Sequence, residues 1–171
     1  MKRNVIGDRV GILCLAVMVA CGLSVTQAGA GGSDADQGEK QVAMKDLPSP
    51  VRAAAEKAIT GGALKKIVVE QEKGKNAYSV EAIMAGTTKE FTFSSDGTLL
   101  AEEEDVSFEQ LPEAVRAAAG KYFGGARGLH ASAEVAKNVT SYEVEGRKGG
   151  ERVSAKFSAA GVLLEEEEDE D

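Results

Sequence analysis

LPEAVRAAAGKYFGG, residues 111–125, is a near copy of LPSPVRAAAEKAITGG, residues 47–62. A shift of 64 residues carries the likeness well past the helix-forming stretch. It places Tyr78-Ser79-Val80-Glu81 on Tyr142-Glu143-Val144-Glu145 and Phe93-Ser94 on Phe157-Ser158. Gly97 falls on Gly161, Leu99-Leu100 on Leu163-Leu164, and Glu102–Asp105 on Glu166–Asp169. The register slips by one at the Gly-Gly pairs, as an insertion in a loop would make it. Self-similarity at a fixed period points to duplicated units, here 43–106 and 107–170.

The opening segment of each unit carries helix signals. Pro48 and Pro112 suit a first helical turn, the alanines have high helix propensity, and the glycine pairs supply a stop. Val51, Ala54, Ala55, Ala58 and Ile59 recur at helical spacing, as do Val115, Ala118, Ala119, Tyr122 and Phe123. Each predicted helix therefore has one apolar stripe of mostly small side chains, suited to lying close against a sheet.

The remainder of each unit alternates with period two. Ile67 and Val69 alternate with Lys66 and Glu70, Tyr78 and Val80 with Ser79 and Glu81, and Phe91 and Phe93 with Glu90 and Thr92. Ala85-Gly86, Asp96-Gly97, Gly149-Gly150 and Ala160-Gly161 punctuate the runs. The expectation is an α+β fold of two tandem repeats, each one helix followed by a four-stranded antiparallel sheet. A unit of about 64 residues buries only a marginal core, so the two are expected to pack side by side, most simply in a continuous sheet. Tyr78, Phe91, Phe93, Tyr142 and Phe157 are expected in the sheet core, and the face away from the helices is expected to be open.

Ahead of the units, residues 1–30 read as a secretory signal: basic MKRNVIGDR, an apolar run from Val10 to about Val25, and an Ala-x-Ala ending at Ala28 and Ala30. The apolar run is shorter than the ~20 residues of a comfortable membrane span. Both cysteines, Cys14 and Cys21, lie within it, so a chain cleaved after Ala30 has no disulfide chemistry. Met18-Val19-Ala20-Cys21 offers the alternative of a lipid anchor on Cys21. Residues 31–42 read as a flexible linker. Periplasmic or secreted localisation is the expectation.

The full chain of 171 residues has 20 basic and 28 acidic side chains. Removing residues 1–30 takes Lys2, Arg3, Arg9 and Asp8 with it, leaving 17 and 27. That balance argues against nucleic acid, whose phosphates need Lys and Arg. Cationic partners and metal ions remain electrostatically compatible.

The leucine-proline opening, the VRAAA helix, the Tyr-x-Val-Glu strand and the Phe-Ser-x-x-Gly-x-Leu-Leu hairpin leading into acids together resemble the PepSY-like, β-lactamase-inhibitor-like family of exported bacterial proteins. The resemblance spans residues 43–170. It implies a non-enzymatic, exported module that binds or inhibits a protein in the cell envelope. No contact residue of the β-lactamase inhibitory protein has a recognisable counterpart here, and no binding residue is carried over.

Candidate chemistry is sparse. His130 is the single histidine, and neither Ser132 nor Ser154 lies in a nucleophile-elbow pattern, so no catalytic residue is assigned. No cofactor is expected, and with one His and no mature Cys neither is a zinc site. The acidic runs Glu102, Glu103, Glu104, Asp105 and Glu165–Asp171 are the candidates for weak Ca²⁺ binding, because hard cations prefer oxygen ligands. Successive strand residues point to opposite faces, which weighs against convergence. The competing reading is a solvated last strand fraying into a tail whose charge discourages edge pairing. Asn138-Val139-Thr140 fits a glycosylation acceptor, read as accidental. Arg52 and Arg116 recur in both helices and are candidates for ion pairs with the acidic strand ends, worth only ~0–1 kcal/mol at a surface.

Overall fold

Proline sets both helix starts. Pro48 and Pro112 stand just outside α1 (Ser49–Ala58) and α2 (Glu113–Phe123), both at φ −52, where a fixed φ and a missing N–H cost nothing. α2 stops at Gly124, whose φ of 72 is the left-handed conformation that glycine adopts without a Cβ penalty. The computed structural model describes residues 40–72 and 74–168. The expected signal segment with Cys14 and Cys21, the linker before Lys40 and the end of the acidic tail lie outside the described residues.

β1 (Lys40–Gln41) precedes α1. β2 (Ala63–Glu72), β3 (Lys75–Met84), β4 (Thr87–Ser94) and β5 (Leu99–Val106) follow it. After α2 come β6 (His130–Ala136), β7 (Val139–Lys148), β8 (Glu151–Ser158) and β9 (Leu163–Glu168). All nine form one antiparallel sheet in sequential order, β1 to β9. Among the described residues no helix is long and apolar enough to cross a membrane.

This corrects the expected fold class. The described residues do not build two repeats of a helix with its own four-stranded sheet; they build a single nine-stranded, mostly β structure with two short α-helices. The deciding contact is β5 against β6, in register from Ala101↔Ala136 to Val106↔Ala131. That pairing satisfies backbone groups that two separate sheets would leave as unpaired edges. Lys40 and Gln41, which fall within the expected linker 31–42, pair with Val69 and Val68 of β2.

The register puts both helices on the same side of the sheet. Val51 and Ala55 of α1 pack with Leu47, Ile67, Tyr78, Val80, Phe91 and Phe93. Val115 and Ala119 of α2 pack with Leu111, Ala131, Val144, Ala155 and Phe157. The aromatic residues expected in the core are there, with Tyr142 partly buried against the second cluster. Hairpin turns clamp the helix starts: a Cβ at Gly97 would lie 2.7 Å from the Pro50 carbonyl oxygen, and one at Gly161 would lie 2.4 Å from that of Ala114. Arg116 donates from Nη1 to the Glu109 carbonyl at 3.2 Å.

Candidate functional site

Because side chains alternate along a strand, placing Phe91, Val80 and Val144 under the helices forces their sequence neighbours onto the opposite face. No described helix covers that face. The register lays its side chains out in rows that cross the strands. One row reads Lys66, Glu81, Glu90, Glu103, Glu134, Ser141, Ser158 from β2 to β8. The next reads Asp105, Ser132, Glu143, Lys156, Glu165 from β5 to β9. On the other side of the glutamates runs Val68, Ser79, Thr92, Ala101, Ala136, Val139.

This polar face is tightly packed. Thr92 is 1% exposed and Ser79 is 5% exposed, and their hydroxyls meet at 3.2 Å. Lys65 and Lys66 both pair with Glu81, the latter at 3.6 Å. Lys156 pairs with Glu134, whose side chain is 9% exposed and also accepts from Ser141 Oγ. Arg152 Nη2 donates to Glu145 at 2.9 Å. A buried charge persists only when paired and hydrogen-bonded, and Glu134, held by Lys156 and Ser141, meets that condition.

The electrostatics follow from crowding. Burial pushes Glu103 up to about 7, helped by the charges of Glu143, Glu90 and Glu134 and opposed by a hydrogen bond from Ser132. Burial likewise raises Glu143, with the bond from Ser154 working against it. Burial alone would lower Lys156, but its hydrogen bond to Glu134 and the fields of Glu134, Glu143 and Glu103 carry it above the ordinary lysine value.

The four acids proposed for a cation do not gather around one point. Glu102 and Glu104 face the helix side, where Lys89 meets them at 2.9 and 3.0 Å and is itself raised by those two bonds. Glu103 and Asp105 face the open side. Among the described residues no group of three or more His, Cys, Asp or Glu is placed to hold a metal ion. The reading of this run as a fraying last strand is also corrected, since β5 is the fifth of nine strands and is paired on both sides. In the second run, Glu166 pairs with Lys148 at 2.9 Å.

His130 is exposed at the start of β6, opposite Glu145. The hydroxyls of Ser132 and Ser154 are given to Glu103 and Glu143. Asn138 sits with Lys137 in the β6–β7 turn, both at positive φ. The functional candidates that the sequence reading missed are Glu81, Glu90, Glu134, Glu143 and Lys156. Their signal was present as parity: each sits at a strand position out of phase with the apolar set.

The sheet with its two helices has solved counterparts. A BLIP-like protein from Bacteroides fragilis aligns with a TM-score of 0.55 at 23% identity, covering 73% of this chain and 88% of that one. A "putative periplasmic" protein of Bacteroides eggerthii aligns at 0.58 and 19%, covering 71% and 88%. A DUF2874 family protein from Bacteroides uniformis aligns at 0.57 and 16%, covering 71% and 89%. The chain shares their fold. At these identities the likeness is one of fold alone. The chain matches no protein-family model and no curated protein.

Proposed function

We propose that the chain is an exported, PepSY-like, non-enzymatic module of the periplasm that binds a protein through the open sheet face, as an inhibitor or regulator of an envelope or secreted enzyme. The observation that carries the reading is the face that no described helix covers: a packed polar surface, in which acids outnumber bases, lies across strands whose other face is filled by the core. Charge complementarity makes the partner a surface bearing Lys and Arg. Export is supported by the signal-like N-terminus and by the periplasmic description of the protein from Bacteroides eggerthii.

The test is affinity capture from envelope extract at physiological salt, with two altered proteins beside the full chain. Glu90→Ala/Glu143→Ala changes the open face; Glu56→Ala/Glu113→Ala changes exposed positions on the helices. The reading expects the same protein to be retained by the full chain and the helix variant and lost with the open-face variant, both variants being folded by circular dichroism at the capture temperature. Retention of nothing specific, or loss that follows the helix substitutions, would overturn it.

A further inference from the structure

Glu81, Glu90, Glu103 and Glu134 stand directly across from one another on β3, β4, β5 and β6, where neighbouring strands are roughly 4.8 Å apart. Like charges in direct register repel. Lysines stand at the two ends of the row, Lys65 and Lys66 on Glu81 and Lys156 on Glu134. Glu103 lies between, at the junction of β5 and β6 that makes the sheet continuous.

We propose that this glutamate row is a proton-sensitive brace across the β5–β6 seam, which tightens the sheet by holding a proton in mildly acid surroundings and loosens it when fully charged. The groups that face Glu103 are Glu90 from β4, Glu134 and Ser132 from β6, Glu143 from β7 and Lys156 from β8, with Asp105 two positions along its own strand. Burial favours the protonated form, and the carboxylates of Glu143, Glu90 and Glu134 act in the same direction against the ammonium of Lys156. A carboxyl whose pKa is higher in the folded than in the unfolded chain binds more protons when folded. The fold therefore gains stability as pH falls through about 7, and the gain is complete below the ordinary carboxyl range. This device belongs to the protein alone and stands apart from what the face binds.

The experiment is chemical denaturation of the full chain and of Glu103→Gln at pH 5.5 and pH 8. Glutamine keeps the shape and the bond from Ser132 but removes the proton dependence. The expected result is a folding constant that rises, relative to the variant, on the order of tenfold between pH 8 and pH 5.5, with the variant the more stable protein at pH 8. Parallel pH curves for the two proteins would overturn the proposal. A ¹³C NMR titration of the Glu103 carboxyl supplies a second readout that needs no variant: a midpoint near neutrality supports the brace, and one in the ordinary carboxyl range refutes it.

Discussion

Gly161→Ala tests how the hairpins hold the helices. At φ 76, Gly161 occupies the left-handed region, which costs an alanine about 1 kcal/mol. The added Cβ would also meet the backbone of α2, 2.4 Å from the Ala114 oxygen and 2.8 Å from its carbon. Backbone in the first turn of a helix cannot swing aside as a side-chain tip can, so overpacking adds about 1–3 kcal/mol. Gly149→Ala is the control: its φ is 67, but nothing lies within 4 Å of the new Cβ, so only the conformational cost applies. The account predicts that Gly161→Ala loses about 2–4 kcal/mol in urea denaturation, against about 1 for Gly149→Ala, with unchanged slopes. Equal losses at the two sites would refute the claim that the β8–β9 turn is seated on α2.

Three further outcomes follow from burial. Lys156→Met strands the Glu134 carboxylate, 9% exposed, and should cost about 3–5 kcal/mol by denaturation, with much of the loss recovered when Glu134→Gln is added. Lys148→Ala removes a pair exposed at 44% and 34% and a contact with the Tyr122 ring, and should move the denaturation midpoint far less than Lys156→Met does. Phe157→Ala, at a position 2% exposed, should cost about 3–5 kcal/mol, whereas Leu164→Ala, 56% exposed, should stay within about 0.5 kcal/mol.

Local chemistry was legible in the sequence where it determines structure locally. The proline-led, alanine-rich segments became α1 and α2, and the period-two runs around Tyr78, Phe91 and Phe157 became strands with those rings inside. Strand pairing between distant segments was less legible, because β5 and β6 carry no local mark of their partnership. Glu102–Asp105 shows the consequence. Read alone, four consecutive acids suggest a solvated strand end. Placed in the middle of nine strands, they divide by parity into a pair that meets Lys89 and a pair that joins the open face. β1 escaped for a related reason: two residues are too few for any periodicity, and only the exposed edge of β2 gives them structure. The open-face network needs both parity and register, so Glu134 and Lys156, 22 positions apart, became neighbours only when β6, β7 and β8 were aligned.

The central claim is that the face opposite the helices is the working surface, and its carboxylates report on it directly. Carbodiimide-driven labelling of the full chain, free and bound to its captured partner, reads each acid by mass spectrometry. The account predicts that Glu90, Asp105, Glu143 and Glu165 lose labelling on binding, while Glu56 and Glu113 on the helices are labelled as before. Protection confined to the helix acids, with the open-face acids unchanged, would contradict it.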